Sequence, residues 1–336
     1  MNIKEIANRA AVSTATVSRT LNGSNLVKPK TAEKVWRVIR ELGYYPSSQA
    51  RALVSGRSHM LGLIISDIVN PFFPEVVKSF EFAAIHHGYD VIVANTDYSP
   101  DRMATSVRRM IERQVDAVAI LTSEIEPHLL DELSRRKLPI VFLDVGKVKP
   151  LISNIRVDYG KGIREAVQHI VSLGHRRIGF ISGPLTLKSA KVRRAAFLAC
   201  ISNCGIKDRQ RIVVEGNHKV EGGDTAMTHM LALPDPPTAV LASNDLTAIG
   251  AMRAIHRAKL RVPDDISLVG FDDIELTEST QPPLTTIRLS RRELGEKAFE
   301  ALYRNLQSRA VGGEEIKLST SLILRQSTAT VNGSRG

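Results

Sequence analysis

From Met60 onward, short apolar runs rich in β-branched residues recur along the chain: MLGLIISD, DVIVANTD, AVAILTS, PIVFLDV, RIGFISG, TAVLASND and ISLVGFDD. Each ends in a polar residue or a glycine, except PIVFLDV, which has its aspartate one place before the end. Amphipathic stretches such as FPEVVKSFEFAAIHHG and SVRRMIERQV lie between them. Strands alternating with helices predict βαβ units and a parallel sheet buried on both faces, an α/β fold. Two sets of such units fit residues 60–160 and 160–290, a coarse duplication. LTTIRL, RRELGEKAFEALYRNLQ and IKLSTSLILR close the pattern as strand, helix and strand.

Residues 1–45 lack this alternation and read as short helices only. Ile3, Ile6, Ala7 and Ala10 share one helical face. Ser13 is placed to cap a second helix with Val17 and Leu21 inward, and Asn22-Gly23 to stop it. Thr16 stands where a capping box would need Glu. The gap Ala11-Val12 admits only a tight turn, so helix, turn and helix match the helix-turn-helix plan. Thr31 is expected to cap a third helix with Val35, Trp36, Ile39 and Leu42 inward. In this plan the first residues of the second helix meet base edges in the major groove. Those are Thr14 and Ala15, followed one turn on by Arg19, which can pair bidentately with guanine. Ser13, Thr16, Ser18 and Asn22 suit phosphates, which set position rather than sequence.

Charge sharpens this division. The 336 residues carry a formal net charge of +11. Residues 1–57 hold ten Lys/Arg against three Asp/Glu, or +7, and the remaining 279 residues are only +4. A basic head on a near-neutral body predicts a polyanion partner, double-stranded DNA. The linker 46–59, PSSQARALVSGRSH, contains a two-turn segment at 49–54, too short to be stable as an isolated helix. Leu53 is its one large apolar side chain able to act as a wedge. It reads either as an ordinary linker leucine or as a wedge between base steps of a minor groove, with Arg51 and Arg57 on phosphates.

Composition excludes several classes. Hydrophobic residues are 43% and charged residues 24%, ordinary globular usage. No apolar run reaches the ~20 residues of a membrane helix, and MNIKEIANRA has no apolar stretch of the signal-peptide kind. Two cysteines make no disulfide framework. A cytoplasmic protein with no membrane partner is expected. GPLTLKS lacks the glycine before lysine that a phosphate loop needs, and neither G-x-G-x-x-G nor G-x-S-x-G occurs. Cys200 and Cys204 have no histidines at ligand spacing and read as core residues. No enzyme, metal or cofactor is expected.

NIKEIANRAAVSTATVSRTLNG, YYPSSQARALVSGRS and LGLIISDIVNPFFPEVV are followed by LGHRRIGFISGP, PTAVLASNDLTAIGAM, RVPDDISLVGFDDIEL and PPLTTIRL. In that order they resemble the lactose/galactose repressor family of bacterial transcription regulators, over about residues 2–328. The resemblance implies a homodimer whose two heads read a pseudopalindromic operator. Paired hinge helices would enter the central minor groove, with the residue matching Leu53 intercalated. It divides the chain into a helix-turn-helix head (1–46), a hinge helix or linker (47–59) and a ligand-binding core (60–330). The core resembles periplasmic sugar-binding proteins, with two doubly wound lobes joined by three crossovers. One lobe would take about 60–160 plus 290–320, the other about 161–289 plus 321–330. The implied function is ligand-responsive repression. No leucine heptad closes the chain, so the appended tetramerisation helix of the lactose repressor is not expected.

In open parallel sheets, ligands bind beyond the carboxyl ends of the strands. Those ends carry Asp67, Asn95, Asp144, Asn244, Asp245 and Asp272. Ser189 and Arg193 fall one helical turn apart and share a face. The resemblance assigns Phe72 and Phe73 to the cleft wall and Arg193 to a ligand hydroxyl or carbonyl. It also makes Asp272 the cleft acid and adds Asn244, through SND, and Asp158, at a crossover. Asp245 reads as the cap of the helix LTAIGAMRAIH. Leu187 replaces a basic residue of a purine-responsive relative, and His218 replaces an aromatic wall. Both departures turn the expected small-molecule effector from a purine to a sugar or polyol. Thr14 and Ala15 are smaller readers than the large polar pairs of some relatives.

Overall fold

The computed structural model describes residues 3–21, 24–43, 57–122, 127–144, 147–207, 210–307 and 312–331. The chain divides into two units, Met1–His59 and Met60–Gly336.

The first unit contains α1 (Ile3–Arg9), α2 (Thr14–Leu21) and α3 (Pro29–Leu42). Ile6, Ala10, Val17, Val35 and Ile39 are among the buried residues that form its small core. Ala11 takes a left-handed conformation, φ 47°, which closes the tight turn between α1 and α2. The Ser13 hydroxyl accepts the Thr16 N–H at 3.1 Å and caps α2. Two expectations are corrected. Helix α3 begins at Pro29 rather than after Thr31, and its cap residue, Lys28, makes no side-chain bond. Proline suits a first helical position because the N–H it lacks would be unpaired there. Trp36 is 39% exposed, and Val38 takes the inward place. The buried stripe Val35, Val38, Ile39 keeps the i, i+3, i+4 spacing of one helical face, from which position 36 is rotated away. Asn22, Arg51 and Leu53 lie outside the described residues.

The second unit opens with β1 (Met60–Ile65), α4 (Phe72–His86), β2 (Asp90–Asn95), α5 (Pro100–Glu112), β3 (Ala117–Leu121), α6 (Pro127–Arg135), β4 (Ile140–Leu143) and β5 (Ile152–Asp158). After α7 (Tyr159–Ser172) come β6 (Ile178–Ser182), α8 (Lys188–Asn203), β7 (Arg211–Glu215), α9 (Val220–Leu231), β8 (Ala239–Ala242), α10 (Asp245–Arg257), β9 (Ser267–Asp272), α11 (Leu276–Ser279) and β10 (Thr285–Leu289). Helix α12 (Arg291–Gln307) and β11 (Glu315–Ile323) follow. The strand order is β2-β1-β3-β4-β5-β11-β10-β9-β8-β6-β7. Each half repeats one order, second-first-third-fourth-fifth, so the duplication is one of topology. Within each half neighbouring strands are parallel. Strand β11 joins the halves: Glu315–Ser319 run parallel to β5, and Thr320–Ile323 antiparallel to β10. The chain therefore passes between the halves after β5, after β10 and along β11.

Strands β5 and β7 are missing from the apolar runs read in the sequence, for physical reasons. β7 is an outer strand and only half-buried. β5 buries Ser153 and Asn154. The Ser153 hydroxyl accepts the Glu314 N–H at 3.2 Å, so tertiary hydrogen bonding makes a polar strand tolerable inside. Phe80, Phe180, Phe197, Phe271 and Phe299 belong to one apolar cluster that runs through both halves. Among the described residues no helix is long and apolar enough to cross a membrane.

Gly162 lets α7 lie close on the sheet. A Cβ there would sit 2.4 Å from Ile287 Cγ2 and 2.7 Å from Thr320 Oγ1. Gly162→Ala should lower stability by about 1–3 kcal/mol, the range for overpacking. Urea unfolding of the full chain measures it, and an unchanged midpoint would contradict the close approach.

Candidate functional site

The first unit presents the α2 surface anticipated from the sequence. Ser13, Thr14, Ala15 and Arg19 are exposed, and Thr16 and Ser18 are half-buried. The Thr16 hydroxyl lies 2.9 Å from the Ser13 hydroxyl, so these two share one of their hydrogen bonds. Thr14, Ala15 and Arg19 are left to project without a described side-chain partner at the helix start and one turn beyond it.

In the second unit the carboxyl ends of the two half-sheets border a cleft of about 590 Å³, open mouth included. Its lining brings together Phe72, Phe73, Ser189, Arg193, His218, Asn244 and Asp272. Phe72 and Phe73 start α4 and pack edge to face, centroids 5.2 Å apart. Asn70 positions them by accepting the Phe72 N–H at 3.1 Å.

Arg193 is the centre of charge. It is 8% exposed. Its guanidinium carbon lies 4.1 Å from the Phe271 ring centroid and 4.8 Å from that of Tyr159. Such stacking is worth about 2 kcal/mol when the cation is desolvated. One terminal nitrogen donates to the Ser243 carbonyl at 2.5 Å. The other is 3.9 Å from Asp272, close enough to attract and too far to hydrogen-bond. Arg193 Nε has no partner among the described residues. Buried polar atoms are normally paired, so this unspent donor points to a ligand.

Asp272 ends β9 in a left-handed conformation, φ 110°. Burial raises its carboxyl to about 7, outweighing the opposite pull of Arg193 and Arg291. His218 is likewise buried. Burial first, then the Arg193 charge, pushes its imidazole down to about 3, so it is neutral. Its Nε2 has no described partner. A Cβ on Gly183 would fall 1.9 Å from Nε2, so only a glycine leaves room for the ring. Asn244 donates to the His218 carbonyl at 2.9 Å and accepts the Thr247 N–H at 2.9 Å. It is therefore the cap of α10, which corrects the expectation for Asp245. Asp245 is fully buried and accepts from Ile274 N–H at 2.9 Å and Thr286 hydroxyl at 2.5 Å.

Asp158 is placed elsewhere. Its side chain caps α7 by accepting the Lys161 N–H at 3.1 Å, and it lines the adjoining groove rather than the cleft. Asp67 and Asn95 hold their own loop through the Val69 and Ile68 N–H groups. Asp144 does line the cleft, and it accepts the Tyr159 hydroxyl at 2.7 Å. Burial raises its carboxyl, against that hydrogen bond and a second one accepted from the Val157 N–H at 2.9 Å. Sequence reasoning missed Tyr98 and Tyr159 as lining residues. Their signal was position: each follows within a few residues of a strand's carboxyl end. At the mouth, Lys219 lies 3.8 Å from Asp97, and the Tyr98 and His218 rings are 6.3 Å apart. No group of three or more metal-ligating side chains occurs among the described residues.

Comparison with known proteins agrees with this geometry. Residues 2–47 match the model for bacterial regulatory proteins of the lacI family, and residues 167–328 match a periplasmic binding protein-like domain. The chain is 34% identical to the HTH-type transcriptional repressor PurR of Mannheimia succiniciproducens, over 98% of this chain and 99% of that one. It is 33% identical to the HTH-type transcriptional repressor CytR of Escherichia coli K12, over 97% and 96%. A structure of the lac repressor dimer bound to operator and the anti-inducer ONPF superposes with a TM-score of 0.87 at 31% identity, covering 98% of this chain and 99% of that one. A ribose-bound lacI-family regulator of Enterococcus faecium gives 0.74 at 28% identity, covering 81% and 100%.

His218 supplies a pH test. Unfolded, it titrates near ~6.5; folded, near 3. Between those values the unfolded chain binds the extra proton, so His218 costs stability as pH falls from about 6.5 towards 3. Asp272 acts in the opposite sense between its ordinary 3.8 and about 7. The difference between variants isolates the histidine. His218→Gln should become relatively more stable than the parent as pH is lowered from 6.5 to 4. Urea midpoints across that range would read it, and a gap independent of pH would sink the assignment.

Proposed function

This chain belongs to the lacI family of bacterial regulatory proteins, and from that membership we propose that it is a cytoplasmic, ligand-responsive repressor. It binds operator DNA as a homodimer and senses a small-molecule effector. The observation that carries the sensing role is a pair of buried nitrogens without a described partner, the donor Arg193 Nε and the imidazole nitrogen His218 Nε2, in a cleft between two half-sheets. The domain plan is a reading head at 1–46, a hinge at 47–59 and the two-lobed core at 60–330.

The site assignments follow from chemistry. Thr14, Ala15 and Arg19 read bases, while Ser13, Thr16, Ser18 and Asn22 position the phosphates. Arg51 and Leu53 of the hinge serve the minor groove, the arginine on phosphate and the leucine as wedge. In the core, Arg193 and Asp272 supply a donor and an acceptor to one ligand, with Ser189, Asn244 and His218 around them. Phe72, Phe73 and Tyr98 offer apolar faces. That mixture suits a sugar or related polyol. Asp158, now a helix cap, is left with a role in the crossover alone. Large exposed apolar side chains lie on the outer strand β2 and beside it, Val93, Phe82 and Ile85, and we place a contact with the second copy there. Closure of the lobes on the effector changes the separation of the two hinges in the dimer, which couples cleft to operator.

A thermal-shift panel of sugars, sugar phosphates, nucleosides and purines tests the sensing role. A ligand at a hundred times its dissociation constant stabilises by about 2.7 kcal/mol. A sugar should raise the melting temperature of the parent and not of Arg193→Gln, while operator binding survives the substitution. A panel in which only purines bind would overturn the sugar assignment. Repeating DNA binding with the hit separates release of the operator from its capture.

Leu53→Ala should weaken specific operator binding by on the order of a few kcal/mol at fixed salt, the scale of a wedge's contribution. Fluorescence anisotropy with the operator duplex measures this, and equal affinity for the parent and the variant would refute the hinge role.

A further inference from the structure

The amino ends of the parallel strands form the opposite rim of the first half-sheet. The turn before β3 holds Arg113, the turn before β4 holds Arg136 and Lys137, and the segment before β5 holds Lys147 and Lys149. These three strands are neighbours in the sheet. Strands lie about 4.8 Å apart, so the three turns make one row. Helices α5 and α6 cover the same face, sharing an apolar cluster with Val107 and Leu133. They end at this rim with Arg109 and Arg135.

All seven cations are exposed. Among the described residues none of them makes an ion pair. Glu112 and Asp116 flank the turn before β3, and Asp90 starts the neighbouring β2. Glu314 and Glu315, at the amino end of β11 beside β5, are each paired with an arginine outside this set, Arg304 and Arg156. Exposed cations without an ion pair therefore outnumber the acids along this rim. Attraction to helix carboxyl ends accounts for Arg109, Arg113 and Arg135. It does not account for Lys147 and Lys149, which lie on no helix, or for Lys137, which follows one.

We propose that this rim is a second DNA-contact surface, which holds the phosphate backbone of duplex flanking the operator. The proposal rests on the repressor reading. The chain from the head enters the core at Met60, the first residue of β1, and β1 starts on this rim. The 17 residue steps from Gly43 to Met60 cannot span more than about 60 Å, which keeps head-bound DNA at high local concentration around the rim. Lys and Arg in a row recognise phosphates without reading bases, so the surface adds affinity and salt dependence rather than sequence choice.

The test compares the full-length chain with Arg113→Ala/Arg136→Ala/Lys137→Ala. A control of equal charge, Arg164→Ala/Lys191→Ala/Lys259→Ala, removes exposed cations of the other half. Two duplexes are used, both enriched from a random library by the unaltered protein. One is trimmed to the selected site and the other extended on both sides. On the extended duplex the slope of log affinity against log salt should fall by about 0.9 for each phosphate that is no longer neutralised. On the trimmed duplex, and for the control on either, it should not change. A parental slope on the extended duplex, or an equal fall on both duplexes, overturns the proposal. If the unaltered protein enriches no sequence, the head reading fails, and the flanking surface with it.

Discussion

In a parallel sheet the carboxyl ends of all strands share one edge and the amino ends the other, and this single constraint organises the core. The two half-sheets repeat one strand order and are joined through β11, so both carboxyl edges border the same cleft. Helix starts gather at those edges, because each helix follows a strand. Phe72 opens α4, Ser189 lies in the first turn of α8, and Asn244 caps α10. The amino edges collect helix ends, where basic residues are electrostatically at home. The same directionality that makes a binding cleft on one side of the first half makes a cationic rim on the other.

Burying Arg193 decides the character of the cleft. A charge taken out of water is costly unless it is paired. Here the compensation is shared among two aromatic faces, one carbonyl and a carboxylate beyond hydrogen-bond reach. No single partner saturates the guanidinium, which leaves it available to a ligand. The carboxylates around it respond to burial in the same sense. Asp245, still deeper, is held well above the ordinary carboxylate range by burial and by neighbouring Asp272. Gly270 is required beside it, since a Cβ there would lie 2.1 Å from its Oδ1. Arg291 links this carboxylate-rich end of the second half to the first. It pairs with Glu75 of α4 at 2.6 Å and donates to the carbonyls of Asp272 and Asp273. A change at Asp272 is thereby connected to the helix that carries the two cleft phenylalanines.

The succession of elements was legible in the sequence, because apolar period and turn residues are local signals. The helix-turn-helix head, the alternating core and its duplication all follow from them. So does the edge at which ligand chemistry collects. Seven of the eight cleft residues named from the sequence and its family resemblance line one cavity. Errors arose where a local signal competed with packing. Trp36 looked inward by size, yet the buried stripe runs through Val38. Asp245 looked like a cap, yet Asn244 occupies that place and Asp245 is drawn into the sheet.

What the sequence by itself determined is therefore the class of fold, the basic reading head and the set of polar residues at strand ends. Tertiary structure alone decided which of those residues meet. Tyr98 and His218 are far apart along the chain and face each other across the mouth. Asp144 lines the cleft through its bond to Tyr159, while Asp158, one residue before that tyrosine, turns to a helix start. The physical reason is that a strand end offers its polar group several partners at similar free energy. The choice among backbone N–H, neighbouring side chain and open cleft is set by how two half-sheets pack, which no local pattern encodes.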